Sequence, residues 1–285
     1  MPTVGVIGGS GLYQIDGIKD VKEVAVKTPF GDPSDVFFTG TLENTPVVFL
    51  PRHGRGHRIS PSEINYRANI YGMKTLGVEA IISVSACGSL KEEYRPMDFL
   101  VPDQFLDRTR GRASTFFTNG IVAHVALADP ISPEIADIIY DSAKKLNLRV
   151  HKNGTYVNME GPQFSTKAES RLYRGWGMDV IGMTNITEAK LAREAEISYA
   201  TLAAVTDYDC WHDSHDSVTV EMILEYLNKN VANAKNILKM AIPKVGQLQK
   251  YSAADALKFA IITNRDLIPA KVKQDLAPII GKYIK

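Results

Sequence analysis

The chain has 285 residues, 45% hydrophobic and 23% charged, which is enough to bury a large core in one domain or two. Its 33 basic and 32 acidic side chains leave a net charge of +1, so no general field draws it to nucleic acid or an anionic membrane, and any anion it binds is gripped locally. Two cysteines, Cys87 and Cys210, exclude a disulfide framework and no Cys/His spacing suggests a zinc site, so a reducing cytoplasm is the expected home.

The chain enters Pro2-Thr3-Val4-Gly5-Val6-Ile7-Gly8 with no basic leader and no apolar stretch of membrane length, which points to a soluble, unexported protein. Short apolar runs then alternate with amphipathic segments to about residue 240, the pattern of an α/β protein built on a sheet. Strands are predicted at 3–8, 46–50, 79–85, 98–102, 153–158, 179–182 and 197–206. Ser60-Pro61-Ser62-Glu63 reads as a capping box with proline at the first helical position, opening a helix that ends at Gly77. Ser132-Pro133-Glu134 opens another, with Ile135, Ile138, Ile139 and Leu146 as its apolar stripe, and Thr166-Lys167-Ala168-Glu169 is a second capping box. The spacing of Ile223, Leu224, Leu227, Val231 and Leu238 predicts a long helix from Val218 to about Met240. Beyond about 243, Pro269 and Pro278 punctuate short helical patterns, which reads as a C-terminal helical extension; no linker, repeat or low-complexity tract divides the chain.

Four loops and one strand end carry the residues suited to chemistry. Gly8-Gly9-Ser10-Gly11 follows the first predicted strand, where backbone N–H groups and the Ser10 hydroxyl can converge on an anion; the other reading is a tight turn. A dinucleotide fingerprint fails because Gln14 stands at its third glycine position, although Glu23 is available as the acid that such a site needs. Arg52-His53-Gly54-Arg55-Gly56-His57 ends the run Val47–Leu50, offering a guanidinium fork matched to phosphate and an imidazole as one more donor, against a reading as a solvated basic loop. In Ser85-Ala86-Cys87-Gly88-Ser89 small side chains let a ligand approach backbone, and Cys87 reads as a buried, inert hydrophobe rather than a nucleophile. In Glu160-Gly161-Pro162-Gln163-Phe164, Phe164 is a candidate stacking surface or a core aromatic, and Glu160 holds sugar hydroxyls or a structural partner.

The most telling stretch is Thr206-Asp207-Tyr208-Asp209, which places two carboxyl groups two residues apart at the end of the apolar run Ile197–Val205. On a strand both face one side, and in a partly dry pocket one of them is held protonated. A neutral carboxylic acid can donate to a ring nitrogen that gains electrons as its glycosidic bond breaks, while the second acid accepts from an exocyclic amine. The alternative is a surface turn whose acids are simply solvated.

Together, Gly8-Gly9-Ser10-Gly11, Arg52-His53 followed by His57, Ser85-Ala86-Cys87-Gly88-Ser89, Glu160-Gly161-Pro162, Gly182-Met183-Thr184 and Thr206-Asp207-Tyr208-Asp209 resemble the 5′-methylthioadenosine phosphorylases among the trimer-forming purine nucleoside phosphorylases. The resemblance runs from about residue 3 to about 240. It implies a single α/β domain with a mixed central sheet flanked by helices, and phosphorolysis of 5′-methylthioadenosine to adenine and 5-methylthioribose 1-phosphate without cofactor or metal, phosphate being a co-substrate. By the same resemblance Ser10, Arg52, His53, Ser85, the backbone of Ala86, and Thr184 hold phosphate, Phe164 and Met183 sandwich base and ribose, and Asp207 and Asp209 address purine N7 and the 6-amino group. His57, Val220 and Ile223 line the 5′ end, joined by His124 from a neighbouring subunit of a homotrimer or dimer of trimers. The family pattern is broken at Gln163, where arginine is common, and at Thr187, where Pro-Glu is usual. Rival readings are a dinucleotide oxidoreductase, a silent nucleoside-binding module, and a phosphorylase that accepts adenosine, inosine and guanosine alike.

Overall fold

The computed structural model describes residues 2–9, 12, 15–212 and 220–284; the side chains of 220–225, 227 and 228 lie outside that description. In chain order the elements are β1 (Thr3–Gly8), β2 (Ile18–Val24), β3 (Phe37–Leu42), β4 (Thr45–Pro51), α1 (Tyr66–Thr75), β5 (Val78–Ser89), β6 (Phe99–Val101), β7 (Gln104–Arg108) and α2 (Pro133–Lys145). They continue with β8 (Val150–Lys152), β9 (Thr155–Met159), α3 (Lys167–Gly175), β10 (Val180–Gly182), α4 (Asn185–Glu194), β11 (Ser198–Asp207), α5 (Val220–Val245), α6 (Ala270–Asp275) and α7 (Ala277–Ile280).

The strands form one mixed sheet in the order β2-β3-β4-β1-β5-β10-β9-β7, and β11, β6 and β8 branch from β5. β5 is the hinge of this layout. Its first half runs parallel to β1, its stretch from Ala80 to Gly88 runs parallel to β11, and its last residues pair antiparallel with β10. The reason lies in composition: the stretch from Val78 to Val84 is almost wholly apolar and is buried on both faces, as a central parallel strand must be. Ile135 and Ile139 of α2 and Ile237, Leu238, Ala241 and Ile242 of α5 share the same large core as the sheet.

All seven predicted strands form, some with shifted ends, whereas β2, β3, β7 and β8 were not foreseen. β2 is an edge strand with an almost fully exposed face and a register shift between Lys19 and Lys22, so it lacks the alternation that reveals a half-buried strand. The helix expected from Pro61 starts five residues later. Glu63 does close on Ser60, accepting from its N–H at 3.2 Å and its hydroxyl at 2.6 Å, but this makes a single turn, and the Asn65 side chain, accepting from Ala68 N–H at 3.1 Å, caps α1 instead. The Thr166–Glu169 box forms reciprocally and opens α3 as predicted. α5 outlasts its predicted end and passes through Pro243 in its last turn, where only one ladder bond is forfeited. The C-terminal segment packs back onto the body: Ala123 bridges Ile261, and Tyr71 of α1 donates its hydroxyl to the carbonyl of Asp275 at 2.8 Å. Among the described residues no helix is long and apolar enough to cross a membrane.

Candidate active site

The parallel strands β4, β1, β5 and β11 bring their carboxyl ends to one edge of the sheet, the place where open α/β sheets hold ligands. Gly8 stands opposite Pro51, and Ile7 opposite Ser83, so the glycine turn, the Arg52-His53 corner and the second half of β5 converge. Arg52 N–H donates to the Gly8 carbonyl at 2.9 Å, which fixes that corner against the turn. Ser10 lies outside the described residues.

Arg52 is held by partners inside the protein. Its side chain is buried, and its fork is committed inside the protein: Nε to Glu188 Oε1 at 2.5 Å, Nη2 to Glu188 Oε2 at 3.1 Å and Ser83 Oγ at 2.6 Å, and Nη1 to the Val84 carbonyl at 3.0 Å. The bidentate face that would have met phosphate is thus spent on Glu188, and one Nη1 hydrogen is left over among the described residues. Burial opposes the charge, but Glu188 more than offsets it and holds the guanidinium above its ordinary pKa. Glu188 in turn accepts from Tyr199 Oη at 2.8 Å, and Asn185 donates to Ser83 Oγ, Tyr199 Oη and Thr201 Oγ1 at 2.9–3.1 Å. Glu188 and Asn185 both come from α4, a helix that the sequence reading did not foresee.

His53 is also held from inside the protein. Its Nδ1 lies 2.8 Å from the Ile59 carbonyl, which can only accept, so the ring proton sits on Nδ1. Burial and the neighbouring Arg52 charge lower its pKa to about 4, leaving Nε2 a lone pair. A neutral ring in this tautomer accepts at Nε2. His57 stacks on His53 with ring centres 4.1 Å apart, and its pKa is lowered by burial and by Arg52.

Within the second half of β5, Ser85 and Ala86 are the two half-buried residues in an otherwise buried run, which leaves them partly accessible at this edge of the sheet. Ser85 Oγ lies 3.4 Å from the hydroxyl of Tyr156, a fully buried side chain of β9. Cys87 is buried, and burial pushes its thiol well up, consistent with the inert reading. Thr184 is buried at the N-cap of α4, its hydroxyl 3.5 Å from Asn185 Oδ1.

The two acids meet, by a route that strand alternation does not provide. Pairing of β11 with β5 slips between Val205 and Asp207, so a bulge brings Asp207 opposite Gly88, and Asp209 then adopts a left-handed φ of 51°. The N–H of Asp209 donates to Asp207 Oδ1 at 2.7 Å, and Thr206 Oγ1 donates to Asp207 Oδ2 at 2.7 Å. Gly88 makes room for both: a Cβ there would lie 2.8 Å from Asp207 Oδ1 and 3.4 Å from the Cβ of Asp209. Burial raises Asp207 to about 6 against the opposing pull of those hydrogen bonds, and burial raises Asp209 as well.

Residues 160–165 close this end. Cys210 Sγ donates to the Ser165 carbonyl at 3.3 Å, tying the acid segment to the loop that carries Phe164, which is 48% exposed. Glu160 has structural partners: it accepts from Ser62 Oγ and Arg110 N–H at 2.6 Å and from Arg112 Nε at 3.1 Å. Arg112 also reaches the carbonyl of Met183 at 2.5 Å. Neither Arg112 nor Glu188 was singled out in the sequence, where one sits in a basic loop and the other in a segment of ordinary helix composition. Of the expected 5′ residues, His57 is placed beside His53, while Val220 and Ile223 fall in the first turn of α5, where side chains are not described. His124 is exposed and its backbone N–H donates to the Ala260 carbonyl in the C-terminal segment at 2.9 Å. Glu23, the acid of the dinucleotide reading, is on the exposed edge strand and pairs with Arg55 at 3.2 Å.

The comparisons with known proteins agree with this geometry. Residues 3–243 match the model of the phosphorylase superfamily. An S-methyl-5′-thioadenosine phosphorylase of Koribacter versatilis is 58% identical over 98% of this chain and 96% of its own, and one of Geobacter sulfurreducens is 56% identical over 99% of each. The crystal structure of a methylthioadenosine phosphorylase from an antarctic soil metagenomic library superposes with a TM-score of 0.94 at 48% identity, covering 98% of both chains. The methylthioadenosine phosphorylase of Schistosoma mansoni in complex with adenine does so with a TM-score of 0.82 at 35% identity, again over 98% of both. The chain therefore belongs to the phosphorylase superfamily and, within it, to the S-methyl-5′-thioadenosine phosphorylases, a family of pentosyltransferase enzymes.

Proposed function

We propose that this chain catalyses the phosphorolysis of 5′-methylthioadenosine, with hydrogen phosphate attacking C1′ as Asp207 serves purine N7. The C1′–N9 bond breaks, its electron pair passes into the purine, and a C1′–O bond to phosphate forms, giving adenine and 5-methylthioribose 1-phosphate. The sugar passes through an oxocarbenium-like state, so an anion at one side and a proton donor at the leaving base lower the barrier. Hydrogen phosphate supplies the net proton, and Asp207 recovers its own through solvent. Phosphate is the co-substrate and no metal or organic cofactor takes part.

The observation that carries this reading is the buried, protonatable Asp207 paired with Gly88, on the same strand whose Val84 carbonyl is held by Arg52. Four residues of strand separate those two points, about 13 Å, a span that phosphate and a purine nucleoside together can fill. Ser85 and Ala86 lie between them. The phosphate site is proposed at Ser10, Ser85, the Ala86 backbone and Thr184, with the spare Nη1 hydrogen of Arg52; His53 accepts there rather than donates. Phe164 and Met183 take the base and ribose. His57, Val220 and Ile223 take the 5′ group, with His124 contributed by a neighbour in a homotrimer or a dimer of trimers. The names of the bacterial relatives and the adenine complex of the Schistosoma mansoni protein support the choice of substrate.

Asp209 presents an acceptor to the 6-position, which favours a 6-amino over a 6-oxo purine. The test is release of purine from methylthioadenosine, adenosine and inosine, each with and without phosphate. The expected result is phosphate-dependent release with methylthioadenosine far ahead of inosine. Equal turnover of all three makes the enzyme a broad purine nucleoside phosphorylase, and release without phosphate makes it a hydrolase.

A further inference from the structure

Arg112 follows β7 in the segment Arg108-Thr109-Arg110-Gly111-Arg112, which carries three arginines in five residues. Its side chain is nevertheless only 3% exposed. The guanidinium donates in three directions at once. Nε and Nη2 reach the side chain and carbonyl of Glu160 at 3.1 Å and 2.6 Å, while Nη1 reaches the carbonyl of Met183 at 2.5 Å and the hydroxyl of Tyr66 at 3.1 Å. Tyr66, the first residue of α1, passes the chain of bonds on to the Pro61 carbonyl at 2.8 Å.

These acceptors are the backbone anchors of two cleft segments. Glu160 precedes Gly161, which leads to Phe164; Met183 precedes Thr184 and α4. Gly161 has a φ of 73° and no Cβ, and the thioether of Met183 fills the space a Cβ would take. The two segments are thus joined twice, by a planar fork through backbone and by side-chain packing. A fork of fixed geometry sets the distance between two carbonyls in a way that a flexible ammonium does not.

We propose that Arg112 is the positioning residue for the nucleoside half of the cleft, holding the Met183 and Phe164 segments at the separation that base and ribose require. The inference rests on the phosphorolysis reading above. Among the described residues the guanidinium bonds to none of Arg52, Ser85, Ala86 and Thr184, and its one link toward the phosphate side is the Met183 carbonyl beside Thr184, so its influence falls mainly on the nucleoside.

The experiment compares Arg112→Lys, Arg112→Ala and Glu160→Gln with wild type in steady-state kinetics for methylthioadenosine and for phosphate, and in adenine binding by calorimetry. Arg112→Lys is expected to raise KM for the nucleoside and weaken adenine by about 10–10²-fold, the scale of a misplaced binding wall, with a much smaller change in KM for phosphate. Glu160→Gln, which leaves both carbonyl bonds in place, shifts the same quantities in the same direction but less. If Arg112→Ala does not fold, the other two variants decide. Equal shifts in both KM values, or adenine binding and kinetics like wild type, overturn the positioning role while leaving the functional reading intact. A wild-type protein without phosphorolysis of any of the three nucleosides overturns the functional reading and this inference with it.

Discussion

Arg52 and Glu188 form a two-point ion pair across 136 residues of sequence, with side chains no more than 3% exposed. A buried pair of this kind stands only while both members are present, because either alone is an uncompensated charge in a low-dielectric interior. Glu188→Ala is therefore expected to cost about 3–5 kcal/mol, read from urea unfolding, and to disorder the corner at Arg52. A loss no greater than a surface substitution would give contradicts the role assigned to Glu188.

Asp207, raised to about 6 by burial, is mostly protonated below that pH and mostly ionised above it. If it gives its proton to the purine, kcat/KM for the nucleoside falls as pH climbs through its titration, and this descending limb disappears in Asp207→Asn. That variant still offers an N–H donor but no transferable proton, so a loss of about 10²–10⁴-fold in kcat is expected for general acid catalysis. Near-normal turnover by Asp207→Asn reduces the role to hydrogen bonding.

Gly88 is the floor on which both acids rest. An added Cβ meets Asp207 Oδ1 at 2.8 Å and Ile181 Cγ2 at 3.2 Å, so the carboxyl has to move. Gly88→Ala is expected to lower kcat by about 10²-fold, the scale of a displacement near 1 Å, while circular dichroism stays native. Unaltered kcat in a folded variant means that the placement of Asp207 is not set here.

Glu194, the last residue of α4, accepts from Thr115 Oγ1 at 2.8 Å and Phe116 N–H at 2.7 Å, yet burial outweighs both bonds and raises it to about 7. The folded chain thus holds a proton that the unfolded chain releases above an ordinary glutamate pKa of 4.5. Stability from this group is complete at the acid end and falls as pH rises from that value to about 7, by ~3 kcal/mol. Asp207 adds a loss of the same sign. Urea unfolding from pH 4.5 to 8 is expected to show a shallower decline in Glu194→Gln than in wild type, and parallel curves rule the effect out.

Much of this arrangement could be read from residues alone, and the limits have physical causes. The runs at 3–8, 46–50 and 197–206 were visible because strands buried on both faces are continuous in apolar residues. The Thr166 box was visible because its partners are three residues apart. Asp207 and Asp209 were expected side by side from period-two alternation, whereas the bulge and the left-handed Asp209 are what bring them together over Gly88. Local pattern has no access to a slip in register against another strand. Arg112 and Glu188 were missed for a related reason: each acquires meaning only from partners 48 and 136 residues away. His53 was noticed, but its tautomer depends on a carbonyl at Ile59 that no spacing rule points to.

The pairing of β5 with β1 on one side and β11 on the other has a mechanical corollary. The anchor of Arg52 at Val84 and the partner of Asp207 at Gly88 are stations on a single strand that β11 pairs from Ala80 to Gly88. In the proposed phosphorolysis, the distance from nucleophile to leaving group is therefore set by a stretch of extended strand and not by a loop. On that reading the part of the substrate left free to adapt is the sugar between them.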